Sequence, residues 1–255
     1  MSLEPKSKVI KVNSLSVVEL KEMHEVFKKY YNNADLETFF LDINKKQYVL
    51  VIKDRVDGRI VGFSTIALMD LDYGGKKVIG FFSGDTILEK EYWGSRRWQI
   101  TWALFFLKIK LANPLTPIFW LLISKGYKTY LLLANNFKNY YPRMNRNDSR
   151  LEKVVDFYCD ELYQEYYVKD EKILDFGDEY QSLQEGVAEI CDDVKSRSPK
   201  IQYFEERNPG WRRGTELPCV GVMELSALSS FIKKVAIEKY SKLKGSDSSN
   251  NIRSA

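Results

Sequence analysis

The stretch KVIGFFSGDTILEKEYWGSRRW, residues 77–98, decides the fold. Its first twelve residues are rich in β-branched and aromatic side chains and read as a strand, and its middle is a charged turn. Gly94 then leads into residues 97–112, which are apolar around nearly the whole circumference of a helix and predict a buried one. Upstream, QYVLVIK (47–53) and RIVGFSTIALMDL (59–71) have the same character and are joined through Asp57-Gly58 and Gly74-Gly75 turns, so the three runs form an antiparallel meander. Further back, Ser16-x-x-Glu19 is a capping box that opens a helix with Leu20, Met23, Phe27 and Tyr30 on one face, and a second short helix follows over 35–43.

Downstream, TPIFWLLIS (116–124) reads as an interior strand and 128–141 as a helix stopped by Pro142. Leu151, Val154, Tyr158, Leu162 and Tyr166 fall at helical spacing, as do Leu183, Val187, Ile190 and Val194, which predicts two acidic amphipathic helices. Residues 200–206 and 217–225 read as a last pair of strands bridged by an exposed Asn208-Pro209-Gly210 loop. A helix over 227–240 and a polar, disordered tail over 245–255 complete the chain. The expectation is a single α+β domain over 1–244, with a mostly antiparallel central sheet flanked by helices and a helical insertion at about 148–198.

The net charge of +4 conceals blocks. Residues 96–147 carry nine basic side chains and no acidic one, whereas 148–194 carry 15 acidic against four basic. A carboxylate-free stretch rich in Leu, Ile, Phe, Tyr and Trp suits an anionic, partly apolar ligand or peripheral contact with an anionic membrane surface, and equally suits a buried helix and strand with solvated lysines at their ends. The acidic block beside it argues against nucleic acid as a partner. The longest uncharged piece, 111–124, holds 14 residues and two prolines, short of the roughly 20 apolar residues of a membrane span.

His24 is the sole histidine and falls on what reads as a surface helix, so histidine-based triads and metal sites have little to draw on. Cys159, Cys191 and Cys219 lie too far apart for zinc-ligand spacing, and no metal site is expected. Widely spaced thiols, with no secretory apolar region after Met1-Ser2-Leu3-Glu4, point to a reducing, cytoplasmic setting.

The order helix, helix, three-stranded meander, central helix, strand, helix resembles the GNAT superfamily of N-acyltransferases over Val9 to Arg143. Residues 86–98, TILEKEYWGSRRW, resemble the end of that family's fourth strand, its pyrophosphate loop and its central helix. With Tyr92-Trp93-Gly94 set on the family's Tyr-Arg-Gly, Trp93 takes the Arg/Gln position and Arg96 and Trp98 stand where the two motif glycines belong. The resemblance implies transfer of an acyl group from a thioester of coenzyme A or acyl carrier protein to a small or lipid-like amine, with no permanently bound cofactor.

It further implies that Ile87 and Leu88 present backbone to the pantetheine, and that Gly94, Ser95, Arg96 and Arg97 receive the diphosphate, the two guanidiniums compensating for the missing glycines. Asp85 is the best placed base, with Glu89 and Glu91 behind it, and Tyr140 and Tyr141 occupy the region of the family's thiolate-protonating tyrosine. Trp98, Trp102, Phe105, Phe106, Phe119 and Trp120 read as core or as the lining of an acyl pocket. Trp211, Arg212 and Arg213 read as a loop able to cover the acceptor or to meet an acidic carrier protein. A non-catalytic module that keeps this fold, or a membrane-surface protein, is the alternative reading.

Overall fold

Strands that must be buried on both faces lose their polar alternation, and IVGFSTIAL, KVIGFFS and IFWLLIS show this at the middle of the molecule. The computed structural model describes residues 5–224, apart from Gly94, Arg96 and Asn147. In chain order its elements are β1 (Lys6–Lys11), α1 (Val17–Lys28), β2 (Tyr31–Asn32), α2 (Leu36–Asn44), β3 (Tyr48–Lys53), β4 (Ile60–Tyr73), β5 (Lys76–Leu88) and α3 (Arg97–Ala112). They continue as β6 (Ile118–Ser124), α4 (Tyr127–Asn136), β7 (Tyr140–Tyr141), α5 (Ser149–Tyr163), β8 (Tyr167–Val168), β9 (Ile173–Leu174), β10 (Ser182–Leu183), α6 (Asp192–Ser196), α7 (Pro199–Arg207) and β11 (Leu217–Val222).

The central sheet has the order β1-β3-β4-β5-β6-β11-β7 and is antiparallel except for the β5–β6 pair. This is the mixed, mostly antiparallel sheet between helices expected from the sequence. Alternate residues feed two faces. Leu50, Ile52, Phe81, Ile118, Trp120, Leu122 and Cys219 pack with α3, α4 and α7. Val49, Val51 and Phe63 pack under α1 and α2, and Phe82, Leu121 and Val220 pack under α5. Tyr158 of α5 ties the sheet together, its hydroxyl lying 3.1 Å from both the Leu122 and Cys219 carbonyls.

The meander, its two turns and the capping box are as expected: Ser16 Oγ accepts from Glu19 N at 3.2 Å, and Glu19 Oε2 accepts from Ser16 N at 3.0 Å. Several readings are corrected. Edge strand β1 went unread, because KSKVIK carries a strand's alternation too briefly without its partner β3. Helix α3 is only half buried: Ala103 and Phe106 are enclosed, but Leu104 and Leu111 are 58% and 69% exposed, since a helix lying on one sheet face has a far side. Helix α4 ends at Asn136, and Tyr140–Tyr141 instead pair with Val220 and Gly221, whose free edge offers hydrogen bonds that a helix would forgo.

Residues 183–194 form no long helix, because Leu183 pairs with Tyr31 and Gly186 takes a φ of 78°. The expected helical insertion is therefore one full helix, α5, followed by short pieces. Residues 200–206 belong to helix α7, not to a strand; Ser198 caps it and Pro199 supplies its first turn. The 208–213 segment is exposed only in part and is anchored: Asn208 and Trp211 are buried, and the exposed Arg212 and Arg213 pair with Glu189 at 2.8 Å and with Asp175. His24 is likewise buried, its Nε2 2.8 Å from the Ala34 carbonyl oxygen. The expected 227–240 helix and 245–255 tail lie outside the described residues.

Candidate active site

β5 and β6 run together only from Ile79–Ile118 to Ser83–Leu122, and beyond that the two strands part. The parting begins at a bulge. Across β4–β5, Ser64 pairs with Thr86 and Ile66 with Ser83, so Gly84 and Asp85 together stand opposite Thr65. Only glycine fits the first bulge position, where a Cβ would lie 2.4 Å from Thr65 Oγ1, itself buried without a hydrogen-bond partner. The extra residue turns Asp85 into a cavity of about 570 Å³ that occupies the wedge and is lined also by Thr86, Ile87 and Leu88. On this stretch the backbone facing β6 has no strand partner among the described residues.

One side of the cavity is aromatic and charged. Tyr31, Phe82, Tyr163, Phe176 and Tyr180 supply the rings, and Asp42, Lys46, Asp85, Lys125 and Glu216 the charges. Lys125 follows β6 and Glu216 precedes β11, which brings the two to the same end of the sheet with Nζ and Oε1 3.1 Å apart. Both side chains are 8% exposed. Lys125 also donates to the Gln181 carbonyl and lies 5.4 Å and 5.0 Å from the Tyr31 and Tyr180 ring centres. Lys46 is paired with Asp42 at 3.1 Å.

Asp85 sits among these pairs with no hydrogen bond or ion pair of its own among the described residues. Burial first, and then the nearby Asp42 carboxylate, push its carboxyl up to about 7 against the opposing pull of Lys125. Burial also raises Glu216, although Lys125 works against it.

The other side of the cavity is apolar: Trp98, Trp102 and Phe106 of α3 face Trp120 of β6, Leu132 of α4 and Phe137. Trp102 meets Trp120 edge-on at 5.4 Å, and Trp120 Nε1 donates to Ser83 Oγ at 2.7 Å. At this side's mouth Trp93 Nε1 donates to the Leu88 carbonyl at 2.7 Å, and Lys128 lies 4.6 Å over the Trp93 ring. Ser95 is buried and its Oγ accepts from the Arg97 amide at 3.4 Å, while Arg97 itself is exposed in the first turn of α3.

Of the residues singled out in the sequence, Asp85, Ile87, Leu88, Trp98, Trp102, Phe106 and Trp120 line the cavity. Phe105 instead packs on Tyr48 and Phe81, and Phe119 lies on the opposite sheet face against Tyr73. Tyr140 and Tyr141 sit in β7 at the sheet edge and do not line the cavity. Glu91 is exposed. Glu89 is buried in a different role, held by Lys29 and by Arg59 Nη1 at 2.7 Å. Burial opposes ionisation there, but the two cations hold its carboxyl below the ordinary value. Gly94 and Arg96 lie outside the described residues.

The sequence reading missed Asp42, Lys46, Lys125 and Glu216. One signal was available, since Lys125 directly follows an apolar interior strand, at the carboxyl end where open sheets with parallel pairs bind ligands.

Glu89→Gln is expected to destabilise the fold by about 1–3 kcal/mol in urea denaturation, because two charge-assisted hydrogen bonds lose their carboxylate. The stabilisation from Glu89 is present above the unfolded carboxyl's pKa of 4.5 and lost as pH falls through the lower folded value. The loss in the variant therefore shrinks in acid.

No family model and no curated protein matches this chain. Among solved structures it is similar to a probable N-acyltransferase of Enterococcus faecalis at 16% identity and a TM-score of 0.38, over 50% of this chain and 31% of that one. The chain thus spans about a third of that protein's length. It is also similar to glucosamine-6-phosphate N-acetyltransferase of Arabidopsis thaliana (11%, TM-score 0.37, 56% of this chain and 98% of that one). A third likeness is to a GNAT family N-acetyltransferase of Escherichia coli in complex with CoA (10%, TM-score 0.35, 51% and 68%). No helix among the described residues is long and apolar enough to cross a membrane.

Proposed function

We propose that the protein is an N-acyltransferase that moves an acyl group from a thioester of coenzyme A or acyl carrier protein to an amine. The observation that carries this reading is the wedge after Ser83, where unpaired β5 backbone, an isolated carboxyl at Asp85 and an apolar channel meet in one cavity. A pantetheine arm carries two amides on an extended chain and adds to the side of β5 that faces the wedge as a short extra strand would, alongside Ile87 and Leu88, sharing the Leu88 carbonyl with the Trp93 indole. The guanidinium of Arg97 and the amides at the start of α3 receive the diphosphate, beside Ser95. The acyl group then points toward Asp85, and the tryptophans of α3 and β6 accommodate a chain longer than acetyl.

The amine nitrogen attacks the thioester carbonyl carbon, the carbon–sulfur bond breaks, and the amine's proton passes to Asp85 directly or through one water. A carboxyl near 7 accepts that proton at neutral pH and can return it to the departing thiolate, whose ordinary pKa lies near 8.5. Glu89 is assigned the structural role its ion pairs define, and Tyr140 and Tyr141, away from the cavity, have no assigned step.

Charge also narrows the acceptor. Lys46 and Lys125 on the acceptor side are already matched by carboxylates, and Lys128 lies at the apolar mouth over Trp93, so among the described residues the acceptor side offers no spare cation for a phosphate or carboxylate on the substrate. Tyrosine faces and the one unmatched carboxylate favour a cationic or neutral amine that lacks an anionic group.

Acyl-CoA thioesters from acetyl to palmitoyl, and acyl carrier protein, are to be titrated into thermal melts. At least one is expected to raise the melting temperature, because at a hundredfold excess over its dissociation constant it stabilises the native state by about 2.7 kcal/mol. That donor should then acylate simple amines in preference to amino acids. No shift with any donor overturns the reading.

A further inference from the structure

Away from the wedge, β7, the first turn of α5, the β8–β9 hairpin and the end of α7 surround a second, polar cavity of about 330 Å³. None of its residues lines the first cavity. Arg143, Arg146, Arg207 and Lys172 contribute positive charge, and Glu152 and Asp170 negative. Lys172 is held by Asp156 at 2.7 Å and Glu152 at 3.5 Å, which leaves Asp170 as the one lining carboxylate against three guanidiniums. No arginine of the three has a carboxylate partner among the described residues.

The tight turn in which Arg146 N donates to Arg143 O at 3.4 Å sets two of these arginines beside one another. Arg143 spends one N–H on the Lys138 carbonyl at 2.6 Å and stacks on Tyr140 at 5.4 Å, which orients its planar head. Arg207 is half-buried, and its Nε is fully buried with no hydrogen-bond partner. Tyr141 and Tyr203 line the same cavity, and neither hydroxyl has a partner among the described residues. A buried donor without an acceptor, at Arg207 Nε, and uncompensated positive charge around the same recess would both be satisfied by an anion.

We propose that this recess is a binding site for a phosphomonoester or inorganic phosphate, its oxygens received by the forks of Arg207 and Arg143, with Arg146 at the rim. Guanidinium heads match tetrahedral oxyanions through paired N–H donors, and the tyrosine hydroxyls add neutral donors of the kind phosphate oxygens accept. The volume admits a phosphate with a small attached group.

The test is calorimetry on the full chain at low ionic strength, with inorganic phosphate in one arm, a nucleoside monophosphate in a second, and phosphatidylcholine vesicles carrying phosphatidic acid in a third. Wild type is expected to bind at least one of these saturably, and Arg207→Gln and Arg146→Gln each to weaken that binding about tenfold or more. Arg146 is exposed, so its variant separates lost binding from lost folding. Phosphate should also raise the melting temperature of wild type more than that of either variant. Absence of saturable binding in every arm, or binding undiminished in both variants, overturns the proposal.

Discussion

Asp85→Asn is expected to lower single-turnover acyl transfer by about 10²–10⁴-fold while raising the protein's melting temperature at neutral pH. The two effects share one cause. The folded carboxyl is pushed up to about 7 from an ordinary value of 3.8. Between those values the native state holds a proton that the unfolded chain has released, so stability is fullest below 3.8 and falls as pH rises toward 7. Asparagine has no proton to lose, so the variant escapes a penalty on the order of 2–4 kcal/mol. Wild-type kcat/KM should climb with pH and level off above about 7, and the residual activity of the variant should not follow that curve. Melts at pH 5 and pH 8 beside the rate profile check both halves. Wild-type rates in the variant would remove Asp85 from the mechanism, and an unchanged melting temperature at pH 8 would show that its carboxyl is better solvated than its surroundings imply.

Lys125→Met is expected to destabilise the fold by about 3–5 kcal/mol, because it strands Glu216 in a buried place with no counter-charge. The acid behaviour identifies the cause. Glu216 is already raised by burial, and losing Lys125 raises it further. A carboxyl with a raised folded pKa favours folding at low pH and opposes it as pH rises, so the loss should be large at pH 8 and small at pH 5. Lys125→Met combined with Glu216→Leu should recover most of the stability, since an apolar pair of similar volume has no charge to desolvate. Asp85 also loses an influence that lowers its pKa, so any remaining activity should have its pH midpoint displaced upward. Urea denaturation at the two pH values checks the prediction, and equal loss at both would mean that packing, not charge, is what Lys125 contributes.

Where sequence reading succeeded, the deciding interactions were local. The capping box closes within four residues, and the Gly74-Gly75 turn holds positive φ at both positions, so the meander's register follows from its own turns. Asp85 was singled out through the family resemblance of its stretch, not through periodicity, caps or turns. Where reading failed, a distant partner outweighed local spacing. Tyr140 and Tyr141 carry no strand signal beyond being aromatic, yet β11, some 80 residues later, draws them into the sheet. Arg212 and Arg213 looked free until Glu189 and Asp175 were brought alongside.

The sequence by itself determined α1, α2, the three-stranded meander, α3 and β6, because each rests on periodicity, caps and turns within a few residues. Only the tertiary structure decided what surrounds the Asp85 carboxyl. The pair Asp42 and Lys46, then Lys125, and then Glu216 come from three separate points of the chain and meet where β6 ends and β11 begins, beside the bulge. Desolvation and charge pairing act through space, over a few ångströms, with no regard to separation along the chain. A carboxyl that reads as an ordinary acid in the sequence therefore becomes one poised near 7 only after folding has removed its water and chosen its neighbours.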